Sequence, residues 1–153
     1  MTVASALIPA RPERIWPYVA DCANYMHHMP KVTKSSASDV QLQPNFGSGQ
    51  MKCTVTADLP WPLSDLTGTT QVTLTVDKEK NVWRREWHLI EGDYHYQEGT
   101  WTLVPIDEGA ATWVIYRLRA KPKIMLPDAL VSGAQKRVIP EMMRRLRERA
   151  TAP

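Results

Sequence analysis

The chain has 153 residues, of which 43% are hydrophobic and 23% charged, and its formal net charge is +3. A chain of this length and composition folds as one domain around one core, which excludes a disordered protein. The small charge does not by itself indicate a nucleic-acid partner, and no apolar run approaches the roughly 20 residues that span a membrane.

The cysteines and the first residues indicate the compartment. Cys22 and Cys53 are the only cysteines, and they lack CxxC spacing, which is typical of reduced thiols in a cytosolic protein. Residues 1–10 lack the charged start and the apolar run of a signal peptide. We therefore expect a cytoplasmic protein with reduced thiols. We also expect a monomer or weak dimer.

The N-terminal part predicts a strand followed by two short helices. Residues 3–9 are apolar and end at a proline, as a first strand would. Residues 11–28 are helical in pattern, because Ile15, Trp16 and Val19 recur at helical spacing. Pro17 does not suit a helix interior, so we expect a break near Asp21 and a second short helix that ends before Pro30.

From Lys31 to Lys121 the apolar residues alternate with polar ones, which predicts half-buried strands. The segment Pro60-Trp61-Pro62 must be a loop, since proline does not serve a central strand. Short turns such as Glu91-Gly92-Asp93 join neighbouring strands and predict an antiparallel meander. The clearest strands are predicted at Gln50–Leu59, Leu66–Val76, Val82–Ile90, Tyr94–Val104 and Ala111–Lys121.

The last element is a long helix that starts after Pro127. Its apolar residues recur every four positions and mark the face that should meet the sheet. Pro140 should kink the helix near Gln135 and Lys136. The predicted apolar face consists of Leu130, Ala134, Val138, Met142 and Leu146.

The end of this helix is rich in arginine, at positions 144, 145, 147 and 149. Cations at a helix C-terminus are favoured by the helix dipole, so a solvated helix end is the preferred interpretation. The alternative is a contact surface for RNA, ribosome or anionic lipid.

Three stretches of the chain form a pattern when they are taken in order. They are Ile8-Pro9-Ala10-Arg11-Pro12-Glu13-Arg14-Ile15-Trp16 with Asp21, Tyr25 and Met29-Pro30; Gly92-Asp93 with Gly99-Thr100-Trp101-Thr102-Leu103-Val104-Pro105 and Tyr116-Arg117-Leu118; and Leu126-Pro127 with Ile139-Pro140 and Leu146-Arg147-Glu148-Arg149-Ala150. Together they resemble START-related domains of the SRPBCC superfamily. Within that superfamily the chain is most similar to the polyketide cyclase/dehydrase and coenzyme Q-binding group.

The resemblance implies an α+β helix-grip fold, with residues 1–153 as one domain. In that fold a curved antiparallel sheet of six to seven strands, two short helices and a long C-terminal helix enclose a cavity. The resemblance also implies a hydrophobic ligand, because members bind lipids, quinones, polyketides or plant hormones, and some catalyse aromatisation or cyclisation. The fold does not choose among these functions.

Alternation along the strands places a few polar side chains on the inner face of the sheet. If Trp101 faces inward, so do Gln97 and His95, while Tyr94, Tyr96 and Glu98 face outward. Arg85 shares the face of Trp83 and Trp87, and Tyr116 that of Val114. We expect the ligand-binding residues to be Cys53, Val55, Val72, Leu74, Arg85, Trp87, His95, Gln97, Trp101 and Tyr116 from the sheet, and Leu130, Ala134, Val138 and Met142 from the last helix.

Each polar candidate also has a structural interpretation. A buried Arg85 needs a carboxylate or a ligand oxygen, and the alternative is an ion pair at the sheet edge near Glu86 or Glu98. His95 is a core or rim histidine if it is not a proton-transfer group, and Tyr116 packs with its hydroxyl toward the cavity.

Metal and cofactor chemistry is not predicted. His27 and His28 are adjacent, so a helix cannot turn both toward one metal. Gly47-Ser48-Gly49 lacks the lysine and the following helix of a phosphate-binding loop, and the chain contains neither GxSxG nor HExxH. We expect no metal and no cofactor.

The leading functional hypothesis is a non-catalytic protein that binds or carries a small hydrophobic ligand, such as a lipid, quinone or polyketide-like molecule. The main alternative is an aromatase/cyclase-type enzyme, in which Arg85 stabilises enolate charge and His95 or Tyr116 moves protons. A third hypothesis is a macromolecule-binding module that uses the outer sheet face or the arginine-rich helix end.

Overall fold

Seven antiparallel strands form one curved sheet in the computed structural model, which describes residues 1–133 and 136–153 fully and gives only the secondary structure at 134 and 135. The strands are β1 (Thr2–Ile8), β2 (Val32–Leu42), β3 (Gly49–Ala57), β4 (Leu66–Asp77), β5 (Val82–Gly92), β6 (Tyr94–Ile106) and β7 (Ala111–Pro122). Their order in the sheet is β1-β7-β6-β5-β4-β3-β2. Strands β2 to β7 thus form the predicted meander, and β1 closes the edge beside β7.

The first helical region lies between β1 and β2 and confirms the predicted break. Helix α1 spans Pro12–Ala20, a 3₁₀ turn spans Cys22–Asn24, and α2 spans Tyr25–His28. Pro12 begins α1, where its missing N–H removes no hydrogen bond. The chain leaves α1 at Asp21, whose N–H donates to the carbonyl of Pro17.

The C-terminal helix consists of three parts. Helix α3 (Asp128–Gly133) continues into a π-helical segment (Ala134–Val138) and then into α4 (Ile139–Thr151), with Pro140 in the first turn of α4. The expected kink position, near Gln135 and Lys136, lies within the π-helical segment, and of Gln135 only the secondary structure is described. Among the described residues, no helix is long and apolar enough to cross a membrane.

The buried face of α4 agrees with the predicted face at Leu146 and differs from it at Met142. Met143, Leu146 and Ala150 are buried, whereas Met142 is only half-buried at the edge of the core. Met143, Leu146 and Ala150 recur at spacings of three and four residues, so the buried face of α4 is an ordinary helical face that passes through Met143 instead of Met142.

The hydrophobic core lies between the inner face of the sheet and the helices α1 and α4, which also pack against each other. Ile15 and Val19 of α1 and Val114 of β7 have no exposed surface. Successive side chains alternate between the two faces, and the outer face carries exposed apolar side chains at Leu7, Trp113 and Val104, which are neighbours in the strand pairing. Strand β3 ends at Ala57, two residues before the predicted end at Leu59.

The prediction of two reduced thiols is wrong in this structure, because Cys22 and Cys53 form a disulfide. The 3₁₀ turn after α1 lies against β3, and the two Cα atoms are 6.1 Å apart, within the usual range for this bond. The cysteines are 31 residues apart in the chain, so only the tertiary fold brings them together.

We expect the purified protein, denatured without a reductant, to contain no thiol that reacts with a chromogenic disulfide reagent. After reduction both cysteines should react, because the disulfide accounts for every cysteine of the chain. Mass spectrometry of peptides from an unreduced digest checks the linkage directly. Two reactive thiols in the unreduced sample would contradict the disulfide.

Candidate ligand cavity

A cavity of about 220 Å³ lies between the inner sheet face and the helical segment around α2. It is smaller than the roughly 300–1,000 Å³ typical of pockets for drug-sized ligands. Its walls are apolar and aromatic, with a few polar groups among them. The lining residues are Tyr25, Met29, Val32, Cys53, Val55, Ala57, Gly68, Thr70, Arg85, Trp87, Tyr94, Gln97, Trp101 and Tyr116.

Half of the expected ligand-binding residues line this cavity, and all of them come from the sheet. Alternation places them on the inner face of four strands, β3, β5, β6 and β7. They are Cys53, Val55, Arg85, Trp87, Gln97, Trp101 and Tyr116.

Other expected residues lie elsewhere. Val72 and Leu74 are inner-face residues, but they are fully buried in the core and do not line the cavity. Leu130 and Met142 are half-buried on the C-terminal helix, away from the described lining. Val138 lines a separate groove, and the Ala134 side chain lies outside the described residues.

His95 is exposed on the outer face of β6, contrary to the prediction that it faces the cavity. The pairing of β6 with β7 shifts register between Tyr94 and Tyr96. Such an irregularity reverses the alternation on one side of it. Tyr94, predicted to face outward, therefore lines the cavity.

The lining residues missed by the sequence prediction fall into two groups. Gly68 and Thr70 lie on β4 in phase with Val72, so the same alternation points to them. Tyr25 and Met29 are four residues apart at α2 and form one helical face. Their helical spacing is visible in the sequence, but the sequence does not show where α2 packs against the sheet.

Among the described lining residues Arg85 is the only charged one, and it is 3% exposed. Its guanidinium carbon lies 4.9 Å from the ring centre of Trp87 and 5.3 Å from that of Tyr25. Neither expected acidic partner contacts it, because Glu86 pairs with Arg84 and Glu98 with Arg119. Among the described residues, Arg85 Nε is the one buried side-chain nitrogen or oxygen without a hydrogen-bond partner.

The aromatic residues of the cavity form a connected group around Trp87. Its ring stacks on that of Tyr116 at 6.1 Å between centres, and Tyr116 in turn contacts Trp101 at 4.6 Å. The indole N–H of Trp87 donates to Gln97 Oε1 at 2.8 Å. Because an indole can only donate, this bond fixes the amide of Gln97 with its NH₂ group turned away from Trp87.

The tyrosines of the cavity remain protonated at neutral pH. Burial raises the pKa of Tyr25, Tyr94 and Tyr116, and the nearby Arg85 only partly offsets this for Tyr25 and Tyr116. Tyr25 donates its hydroxyl to the carbonyl of Val19. The phenols of Tyr94 and Tyr116 can donate hydrogen bonds to a ligand, but all three phenols are poor general bases.

His28 lies at the end of α2, where it meets the edges of the Tyr18 and Tyr25 rings. Burial lowers the pKa of His28, and the positive charge of Arg149 lowers it further. Protonation therefore favours the unfolded chain, in which histidine has its ordinary pKa of about 6.5. The stability that His28 contributes is complete above that pH and is lost as the pH falls through its lower folded-state pKa.

We therefore expect the free energy of unfolding of the wild type to fall between pH 7 and pH 5.5 (roughly the range in which histidine titrates), and to fall less in His28→Gln. Urea unfolding at several pH values measures this difference. His88 is exposed on β5, so His88→Gln should keep the wild-type slope. Equal slopes in all three proteins would refute the role of His28.

A wider groove of about 470 Å³ lies on the other side of Met29 and Val32. It runs between α2, the start of β2 and the C-terminal helix, where Val138 and Arg145 line it. Met29 and Val32 line both spaces. These two side chains therefore separate the cavity from a surface groove beside the C-terminal helix.

The arginine-rich helix end is largely occupied by contacts within the chain. Arg144 and Arg145 both bond to Glu141, at 2.6 Å and 3.0 Å. Hydrogen bonds from these two arginines lower the pKa of Glu141 to about 2. Arg149 donates to the carbonyl of His27. These contacts fit the interpretation of a solvated, ion-paired helix end.

The family model described as polyketide cyclase/dehydrase and lipid transport matches residues 8–147. Among solved structures, the chain is similar to a START superfamily protein from Mycobacterium smegmatis, with 16% identity, 97% of this chain and 95% of that chain covered, and a TM-score of 0.73. It is similar to a STAR-related lipid transfer protein from Xanthomonas axonopodis, with 18% identity, 97% and 84% covered, and a TM-score of 0.75.

The fold is also similar to that of the Zhui aromatase/cyclase from a Streptomyces species, with 13% identity, 97% of this chain and 89% of that chain covered, and a TM-score of 0.64. No curated protein matches the sequence. The solved structures therefore establish the START-like helix-grip fold, and they include both lipid-transfer and cyclase proteins.

Proposed function

Because the chain belongs to the polyketide cyclase/dehydrase and lipid transport family, we propose that it binds and carries a small hydrophobic molecule in the cavity between the sheet and α2. The observation that carries this proposal is a cavity whose wall is mostly aromatic and aliphatic, with Arg85 as its one charged group. Such a wall gains free energy by removing apolar ligand surface from water. The groove beside Met29 and Val32 is the proposed entrance.

Binding is better supported than catalysis by the groups that face the cavity. A cyclase needs a group that accepts a proton near neutral pH. His95 is exposed and does not line the cavity, so it cannot serve as that group. Burial keeps the three tyrosines of the wall in their protonated form. The remaining polar side chains can hold a ligand in one orientation without changing it.

The test is to fill the cavity without disturbing the rest of the fold. Val55→Phe adds volume at a lining position. We expect it to abolish binding of N-phenylnaphthylamine, a neutral probe whose fluorescence rises in apolar sites. Mass spectrometry of solvent extracts should likewise recover a small apolar molecule from the purified wild type and none from Val55→Phe.

The matched control is Val104→Phe, the same substitution on the outer face of β6, where Val104 is 39% exposed. This variant should bind the probe and retain the extracted molecule as the wild type does. The proposal fails if the wild type neither retains a molecule nor binds the probe, or if Val55→Phe binds as well as Val104→Phe.

A further inference from the structure

The charge of Arg85 is not balanced inside the protein. A guanidinium carries its charge at physiological pH, and a buried charge is unfavourable unless an acceptor pairs with it. None of the ion pairs among the described residues includes Arg85. Stacking on the rings of Trp87 and Tyr25 offsets part of the cost, but Nε still lacks an acceptor.

Two other polar groups of the cavity wall, Gln97 and Tyr116, can also donate a hydrogen bond to a ligand. Gln97 uses its carbonyl oxygen on Trp87, so its NH₂ group is what it can offer a ligand. Tyr116 keeps its hydroxyl proton because burial raises its pKa. Thr70 uses its one hydroxyl proton on the carbonyl of Cys53, so it offers the ligand no donor. The wall therefore presents one cation and hydrogen-bond donors, which complement an anionic acceptor.

The volume and the wall restrict the rest of the ligand. A cavity of about 220 Å³ is too small for a diacyl lipid and suits a compact body of a few rings. The rings of Trp87, Trp101 and Tyr116 favour a flat apolar body, because aromatic faces stack. One end of the ligand must carry the negative charge that meets Arg85.

We propose that the ligand is a compact, ring-containing carboxylic acid whose carboxylate pairs with Arg85 while its apolar body stacks on Trp87 and Tyr116. This inference rests on the proposed function and names the class of molecule that the cavity takes. A carboxylate matches the planar donor fork of a guanidinium and forms charge-assisted hydrogen bonds with it. A neutral molecule of the same shape would leave the charge of Arg85 buried without an acceptor.

The experiment compares β-naphthoic acid with β-naphthamide, a neutral molecule of the same shape, by isothermal titration calorimetry at neutral pH. We expect the wild type to bind the acid about 10- to 100-fold more tightly than the amide, as charge-assisted hydrogen bonds provide. Arg85→Met should remove this preference. Arg84→Met, which removes an exposed arginine from the same strand, should keep it. Acetate, which has the charge without the apolar body, should compete only weakly.

The outcomes separate the acid class from the proposed function. Equal affinity for acid and amide in the wild type, or a preference that survives Arg85→Met, would overturn the acid class while leaving hydrophobic binding intact. Full competition by acetate would also overturn it, because the site would then be a simple anion site. No binding of either naphthalene compound or of N-phenylnaphthylamine would overturn both proposals.

Discussion

Arg85→Met is expected to raise the free energy of unfolding of the ligand-free protein by about 1–4 kcal/mol, the gain seen when buried charges are replaced by apolar residues. Most substitutions of buried residues lower stability, so this sign is diagnostic. Arg85 is 3% exposed and has no acidic partner among the described residues. Methionine has a similar length and adapts to the space between Tyr25 and Trp87.

Urea unfolding of extracted, ligand-free protein measures this change, since a bound ligand would stabilise the wild type selectively. Arg84→Met is the control. It breaks only an exposed pair with Glu86, and such pairs contribute about 0–1 kcal/mol. A loss of stability in Arg85→Met would mean that ring stacking fully compensates the buried charge. If Arg85→Met gains stability and also loses its preference for the acid, Arg85 is a residue that costs stability and is retained because it binds the ligand.

Gly99→Ala is expected to destabilise the protein by about 3 kcal/mol, at the upper end of overpacking effects. A Cβ atom at Gly99 would lie 2.2 Å from the backbone oxygen of Arg117 and 2.5 Å from the ring of Trp87. The oxygen belongs to the paired strand β7 and cannot move without disturbing the ladder in which Gly99 faces Leu118. The Trp87 ring would move into the cavity, so ligand affinity should fall as well.

Thermal and urea unfolding check the stability change, which corresponds to roughly 2–4 °C per kcal/mol for a chain of this size. Gly133→Ala is the matched control, because nothing lies within 4 Å of its Cβ position. Alanine is the better helix former, so this variant should match or slightly exceed the wild type. Equal stability of Gly99→Ala and Gly133→Ala would contradict the prediction, because strands β6 and β7 would then have moved apart to accommodate the added methyl group at no cost.

Alternation along the strands was a reliable guide wherever pairing is regular. It placed Arg85, Trp87, Trp101 and Tyr116 on the inner face, and all four line the cavity. It failed at His95, because the register shift between Tyr94 and Tyr96 has no clear signature in the local pattern. A period of two predicts the side of the sheet, but it holds only between irregularities.

Alternation also does not show where along a strand the cavity begins. Val72 and Leu74 share the inner face with Thr70, yet the helices cover them completely, while Thr70 borders the cavity. That difference depends on where α1, α2 and α4 pack on the sheet. The same packing buries Met143 beside the expected Leu146 and leaves Met142 half-buried at the edge of the core.

The sequence by itself determined the order of the strands and helices, the break near Asp21, the meander and the inner face that carries Arg85, because these follow from local periodicity, proline and turn residues. The tertiary structure alone decided the Cys22–Cys53 bond, the docking of Tyr25 beside Arg85 and the absence of an acidic partner for Arg85 among the described residues. These features depend on distances between residues that are far apart in the chain, and no local pattern encodes such distances.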